Sequence, residues 1–230
     1  MKRRFFIGAG AVAIAGGGVY WLNASDTALG SSSSAGFGAA MAQSSDGQTA
    51  EEIDTSGVAE MALGNADAPV TVIEYGSLTC PHCARFHKEV LPKIKENYID
   101  TGKVRFIFRE AYFDRFGLWA SLLARCGGEM RFFGIVDILY ADQHGWLGDG
   151  EPGTIVNNLR KIGLTSGLTN EQLDTCFNDE DNVKTLVAWY QQNFTRDNMD
   201  STPSFLIQGE KYSNMSYENF AKILDDKLSQ

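Results

Sequence analysis

The chain has 230 residues, with 29 acidic against 20 basic side chains and a formal net charge of −9. A chain of that charge with no basic stripe is repelled by nucleic-acid phosphates, so we expect no nucleic-acid partner. Residues 58–230 suffice for one compact domain, or for one domain with a large insertion, but are few for two independent domains.

The N-terminal segment has the pattern of an export signal. Basic residues at 2–4 precede an apolar stretch at 5–22 that is rich in alanine and glycine. As a helix this stretch would span roughly 27 Å, just short of a bilayer core. We therefore expect residues 1–23 to be a cleaved signal or an uncleaved membrane anchor. The letters RRFFI at 3–7 resemble the twin-arginine export motif.

The next segment has the composition of a linker. Residues 24–57 are rich in serine, glycine and alanine, with a run of serines at 31–34. Such a composition cannot bury enough apolar surface to order itself. We expect a flexible linker, or a leader that is removed.

A CxxC motif stands where a predicted strand gives way to a predicted helix. The apolar run at 70–75 predicts the strand, the pattern at 83–97 predicts the helix, and Cys80-Pro81-His82-Cys83 lies between them. Unpaired backbone N–H groups and the positive dipole end of a helix stabilise a thiolate there.

The residue types at positions 80–82 indicate what each of them does in the motif. Cys80 is the predicted nucleophile, and Pro81 suits the first helical position because it lacks an N–H. His82 can donate a hydrogen bond or carry positive charge, which would lower the pKa of Cys80 further. Each unit of lowering raises the reduction potential by roughly 30 mV, so the motif predicts an oxidant.

Other uses of a CxxC motif fit less well. A zinc site needs about four ligands, and the nearby candidates are Cys80, Cys83 and His87. Attachment of c-type haem needs histidine directly after the second cysteine, where this chain has Ala84. A structural disulfide across so short a loop would contribute little stability. We therefore favour redox chemistry at the sulfurs, with no metal and no cofactor.

The remaining elements predict an α/β fold of the form βαβ…ββα with a large all-helical insertion. A second strand at 103–109 completes a βαβ unit, with the CxxC at its first crossover. The insertion, at about 114–199, is predicted to contain helices at 116–126, 129–141, 154–162, 170–177 and 181–198. After it we expect strands at 204–208 and 211–213 and a closing helix at 217–228.

Two further polar residues lie near the motif in sequence. Glu74 shares a strand face with Val70 and Val72, so it should point into apolar surroundings, where it could take the proton of Cys83. The alternative is a charge on a solvated strand face. For His87 we expect a polar residue on the outer face of the first helix.

The combination of motifs resembles one known family. Glu74 six residues before Cys80, the CPHC sequence, and Thr202-Pro203 opening a late strand are similar to the DsbA family of exported thiol oxidases, over residues 58–230. The resemblance implies a thioredoxin-like fold. It also implies that Cys80 exchanges with substrate sulfur, that Cys83 resolves the mixed disulfide, and that His82 tunes the pair.

The resemblance also changes the interpretation of Thr202-Pro203. On sequence alone this is an ordinary strand-entry proline, because cis bonds are a minority. The family pattern implies that Pro203 is cis, lies against the CxxC, and lets the backbone of Thr202 pair with an extended substrate. Many oxidases of the family resemble one another in having an aliphatic residue before this proline, whereas threonine resembles the reductive or isomerising relatives.

A second cysteine pair falls in two helices of the predicted insertion. In an oxidising compartment Cys126 and Cys176 are expected to form a disulfide, although two buried free cysteines remain an alternative. Some members of the DsbA family resemble this chain in having such a pair.

The expected function is to introduce disulfide bonds into reduced, unfolded substrate proteins through Cys80 and Cys83. We expect a monomer in the periplasm, secreted after signal cleavage or tethered by an uncleaved anchor. The resemblance implies that it is reoxidised by a quinone-linked membrane partner of the DsbB kind. A disulfide isomerase or reductase would use the same motif, and a copper(I) metallochaperone would hold its ion on the same two thiolates.

Overall fold

One mixed five-stranded sheet lies at the centre of residues 49–230, the part of the chain that the computed structural model describes. The strands are β1 (Met61–Leu63), β2 (Val70–Gly76), β3 (Val104–Glu110), β4 (Ser204–Ile207) and β5 (Glu210–Ser213). Their order is β1-β3-β2-β4-β5, with β2 and β3 parallel and the other neighbours antiparallel. β2 is therefore the central strand, and a three-residue loop at 77–79 leads from its carboxyl end to the CxxC.

Strand β1 is an element that the sequence pattern did not predict. It pairs with β3 from Met61 opposite Phe108 to Leu63 opposite Phe106. Three residues are too short for alternation to be recognised, and the strand forms because it covers the exposed edge of β3.

The helix after the CxxC starts earlier than predicted and is broken. It runs as α1 (Pro81–Glu89) and α2 (Leu91–Ile94), followed by a π-helical turn at Lys95–Ile99. The break comes two residues before Pro92, which has no N–H to donate and whose ring crowds the carbonyl four residues earlier. The single helix predicted at 83–97 was wrong in this respect.

The helical insertion is confirmed, within a few residues at each boundary. Its helices are α3 (Arg115–Cys126), α4 (Glu129–Ala141), α5 (Gln143–Leu147), α6 (Pro152–Thr165), α7 (Asn170–Phe177) and α8 (Glu180–Arg196), and α9 (Tyr217–Leu228) closes the fold. Only the short α5 was missed. The apolar core is continuous from the sheet into these helices, so the insertion belongs to the same folded unit.

A glycine sets the close packing of the insertion. A Cβ added to Gly163 of α6 would lie 2.6 Å from Leu173 Cδ2 and 2.9 Å from Leu123 Cδ1. Glycine therefore lets α6 approach α3 and α7 closely enough to exclude water.

The first described residues pack on the insertion. Gln192 of α8 donates through Nε2 to the carbonyls of Ala50 and Ile53 at 2.7 and 3.0 Å, and Thr55 Oγ1 donates to Gln192 Oε1 at 2.7 Å. The part of the predicted linker at 49–57 is thus held against α8, so the folded unit starts before residue 58. The predicted signal at 1–23 and the linker at 24–48 lie outside the described residues.

None of the helices within residues 49–230 has the length and apolar character needed to cross a bilayer.

Candidate active site

Cys80 is the N-cap of α1, and Pro81 is its first helical residue. The Cys80 N–H donates to the carbonyl of Ser77 at 3.0 Å, and the Cys80 carbonyl accepts from the Ala84 N–H at 3.1 Å. The sulfur is half-buried, whereas Pro81 and His82 are exposed. This placement leaves one sulfur at the surface, where a second molecule can reach it.

Hydrogen bonds to Cys80 stabilise its thiolate. The side chain of Cys83 makes the largest contribution, followed by the Thr202 side chain and the backbone N–H groups of Cys83 and His82; together they outweigh burial and lower the pKa of Cys80 to about 5. His82 thus acts on Cys80 through its backbone N–H. From the sequence we expected an effect of its imidazole side chain.

Cys83 has the opposite environment. It is fully buried, and burial, its hydrogen bond to Cys80 and the negative charge of Glu74 raise the pKa of Cys83 far above its ordinary value. Both cysteines are free thiols in the structure. In this reduced state Cys80 is a thiolate at neutral pH, and Cys83 stays protonated.

Residues far along the chain complete the surroundings of Cys80. The peptide bond between Thr202 and Pro203 is cis. Cys80 Sγ lies 3.5 Å from the carbonyl oxygen of Thr202, to which its thiol form donates. Pro203 is buried and leads into β4. The fold therefore brings Thr202 and Pro203 against the CxxC.

Glu74 is buried on the same face of β2 as Val70 and Val72, the orientation expected from alternation. Its Oε2 lies 2.9 Å from His87 Nε2, while its Oε1 has no hydrogen-bond partner in the structure. Gly76 leaves room for the carboxylate, since a Cβ there would lie 3.1 Å from Oε1.

The prediction for His87 was wrong, because its side chain is buried rather than on the outer face of α1. His87 follows Cys83 by one helical turn, so the two side chains share the face of α1 that packs on the sheet. That spacing is the sequence signal that could have identified it.

The insertion supplies two polar residues that sequence reasoning missed. Tyr140 of α4 donates to the carbonyl of Ser77 at 3.2 Å and hydrogen-bonds with Cys83, and burial raises its pKa, so the hydroxyl keeps its proton. Gln143 of α5 donates through Nε2 to the carbonyls of Leu78 and Cys80 at 2.8 and 3.1 Å. These contacts join positions more than sixty residues apart, and no local pattern signals them.

The second cysteine pair lies within the insertion. Cys126, at the end of α3, and Cys176, in α7, are joined by a disulfide with a Cα separation of 6.0 Å. Among residues 49–230 we find no cluster of three or more histidine, cysteine or acidic side chains arranged to hold a metal ion.

Comparison with known proteins decides the family. A family model described as Thioredoxin matches residues 56–226. The chain belongs to the thioredoxin family. Within that family, a Rickettsia bellii protein whose name provisionally assigns it as a protein-disulfide oxidoreductase is 32% identical over 172 residues, covering 74% of this chain and 65% of the relative. Disulfide bond formation protein D of Bacillus subtilis is 44% identical over 62 residues, covering 27% of this chain and 28% of the relative.

The solved structures agree with this thioredoxin-family assignment. The crystal structure of Wolbachia pipientis alpha-DsbA1 is similar with a TM-score of 0.69 and 29% identity, covering 74% of this chain and 91% of that one. The predicted thioredoxin-like fold with a helical insertion is thereby confirmed, and so is the resemblance to the DsbA-like members of the family. The chain spans 61–65% of the length of the Rickettsia relatives that it matches.

Proposed function

We propose that this protein is an exported thiol:disulfide oxidoreductase that introduces disulfide bonds into reduced, unfolded proteins. The observation that carries the proposal is the contrast within the CxxC: a half-exposed Cys80 whose pKa is lowered to about 5, beside a buried Cys83 whose pKa is raised. Stabilising the Cys80 thiolate stabilises the reduced form relative to the disulfide. Thiol–disulfide exchange with a substrate therefore favours the reduced form of this protein and the oxidised form of the substrate.

The reaction starts from the Cys80–Cys83 disulfide. A substrate thiolate attacks Cys80 Sγ; a bond forms between them, the bond to Cys83 breaks, and Cys83 leaves as a thiolate that takes up a proton. A second substrate thiolate then attacks the substrate sulfur of the mixed disulfide. The substrate disulfide forms, Cys80 leaves as a thiolate, and two electrons have passed from substrate to protein. A low-pKa leaving group speeds this last step.

Two sets of residues assist these steps. Glu74 exchanges the proton of Cys83, since it is a carboxylate whose charge acts on that buried thiol. Thr202 and Pro203 present backbone groups beside Cys80, where an extended substrate strand can pair with Thr202. Substrate contact would then be independent of side-chain sequence, which suits a protein that acts on many partners.

The cycle needs a second partner. Restoring the Cys80–Cys83 disulfide removes two electrons, for which we propose a quinone-linked membrane protein of the DsbB kind. We propose a periplasmic monomer, secreted or tethered. The N-terminal pattern and the Cys126–Cys176 disulfide support that compartment, because disulfides persist where conditions are oxidising.

One observation favours a second candidate. Threonine at position 202 resembles the isomerising and reductive relatives, which would use the same cysteines in the reduced state. Two assays separate the functions. In the first, oxidised protein is mixed with a reduced, unfolded protein, and the disulfides formed in the substrate are counted. In the second, reduced protein is mixed with a substrate that holds wrong disulfides, and their rearrangement is followed.

The proposal predicts one substrate disulfide per oxidised protein and none from Cys80→Ser. When Cys83→Ser is mixed instead with a substrate that already holds a disulfide, Cys80 should attack that bond and remain trapped as a mixed disulfide, because no second thiol can displace the substrate. Full activity in Cys80→Ser would overturn it. An inert oxidised form, together with a reduced form that rearranges wrong disulfides, would establish the isomerase instead. Copper(I) held by the two thiolates without any disulfide transfer would establish the metallochaperone.

A further inference from the structure

A buried histidine beside the active site has no role in the steps above. His87 bonds Glu74 Oε2 through Nε2 at 2.9 Å, and its other ring nitrogen, Nδ1, is buried without a hydrogen-bond partner in the structure. Buried polar groups are nearly always satisfied, so an orphaned nitrogen suggests a water or a transient proton.

The proton of Cys83 needs a route through the protein. Cys83 and Glu74 are both fully buried, so neither can exchange a proton directly with solvent. Each turnover nevertheless requires one proton to reach Cys83 when the disulfide opens and one to leave when it closes. A group that connects Glu74 to water is therefore required.

A cavity next to His87 provides that connection. It has a volume of about 400 Å³ and lies between α1, the start of α2, and α4. This is far more than the roughly 30 Å³ share of one water in the liquid. Its lining includes His87 together with Lys88 and Asp137, both of which are exposed, so the cavity joins the buried ring to the surface.

The ring is also held in a fixed orientation. Tyr140 packs on His87 with the ring centroids 4.3 Å apart, and Phe108 of β3 meets it edge-on at 5.5 Å. The ionisable groups around this site come from β2, α1, the π-helical turn and α4, and are Glu74, Cys83, Lys88, Lys95, Asp137 and Tyr140.

We propose that His87 is the proton relay of this active site, carrying the proton of Cys83 between Glu74 and water in the cavity. When Cys83 attacks Cys80, its proton passes to Glu74, and the ring, which keeps donating its Nε2–H to Oε2, releases its Nδ1 proton to water in the cavity. The Cys80–Cys83 bond forms and the partner leaves as a thiolate. When the disulfide opens, Glu74 returns its proton to Cys83 and Nδ1 takes one from water, so no side chain has to rotate. The inference rests on the proposed function.

The test isolates the step in which Cys83 attacks. Reduced protein, with Cys126–Cys176 intact, is mixed with excess 5,5′-dithiobis(2-nitrobenzoate). The first release of coloured thiolate reports attack by Cys80, and the second reports closure by Cys83. His87→Ala should slow the second release by about 100-fold near neutral pH, the size of a general acid–base contribution, and leave the first unchanged.

Chemical rescue separates a relay from a structural role. Imidazole should fill the space left in His87→Ala and restore the second release, with a pH dependence that follows imidazole, whereas pyrazole, of similar shape but far weaker basicity, should not. His87→Gln can still donate to Glu74 but cannot relay a proton, so it should also close slowly. His144→Gln, a change at an exposed histidine, is the matched control and should close normally.

Two results would overturn the relay while leaving the oxidoreductase proposal intact: closure in His87→Gln at the wild-type rate across the pH range, or equal rescue by imidazole and pyrazole. Absence of the second release in the wild-type protein would overturn both.

Discussion

Two cysteines three residues apart have opposite chemistry because they occupy different positions on one helix. Cys80 caps the helix and receives backbone and side-chain hydrogen bonds, while Cys83 lies one turn further in, buried beside Glu74. The sequence predicted the first environment from the CxxC at a helix start. It could not predict the hydrogen bond from the Thr202 side chain, because Thr202 lies 122 positions further along the chain.

The Thr202 hydroxyl offers a direct test at the residue scale. Thr202→Val removes a hydrogen bond that stabilises the Cys80 thiolate, so the pKa of Cys80 should rise from about 5 and the reduction potential should fall. Thr202→Ser keeps the hydroxyl and is the matched control. Titration of the thiolate by its ultraviolet absorbance measures the change. An unchanged pKa in Thr202→Val would show that the hydroxyl is not a donor to the sulfur.

Glu74 and His87 show how far a face can be predicted from spacing. Alternation along β2 correctly predicted that Glu74 is buried. Side chains of a strand point alternately to its two faces, so one buried apolar residue shows which other residues share its face. For His87 the face of α1 depends on which side packs on the sheet, and the signal for that side is the spacing of one helical turn from Cys83.

At the scale of elements, the helical insertion supports the loop that carries Cys80. Tyr140 and Gln143 donate to backbone carbonyls of that loop, and a buried ion pair between Arg125 of α3 and Glu110 of β3, at 2.6 Å, joins the insertion to the sheet. Long periodic helices were predictable from their apolar repeats. The short elements β1 and α5 were not, since they form because of what they pack against.

The Cys126–Cys176 disulfide should stabilise the insertion. It joins α3 to α7 across a sequence separation of 50, for which the chain-entropy model gives about 4 kcal/mol. The double change Cys126→Ala, Cys176→Ala should therefore lower the free energy of unfolding by that order in urea, measured with Cys80–Cys83 oxidised. Each single change also breaks the bond, so each should lose about as much stability as the double change, which separates loss of the disulfide from loss of packing at one side chain. Equal stability of the double variant and the wild type would contradict this account.

At the scale of the whole molecule, the stability of the reduced protein should depend on pH through Cys80. Its pKa is about 5 when folded and near its ordinary value of 9.0 when unfolded. A group with a lowered folded pKa stabilises the fold fully above its unfolded pKa, and this contribution is lost as the pH falls through the folded value. The free energy of unfolding should therefore rise between pH 5 and 9 relative to reduced Cys80→Ser. A difference that stays constant over that window would contradict the lowered pKa.

The fold as a whole was largely predictable. The βαβ…ββα frame follows from strand and helix patterns, and the family resemblance added the cis bond at Pro203. The sequence did not predict how the helical insertion packs against the βαβ…ββα frame, because the same amphipathic helices could form a continuous core in several arrangements.

The reduction potential of the Cys80–Cys83 pair decides whether this protein donates disulfides or reduces them, and it is obtained by equilibration with glutathione while Cys126–Cys176 stays intact. We expect a value well above about −200 mV, because the Cys80 thiolate stabilises the reduced form. A value near or below about −250 mV, in the range of thioredoxin-like reductants, would contradict it.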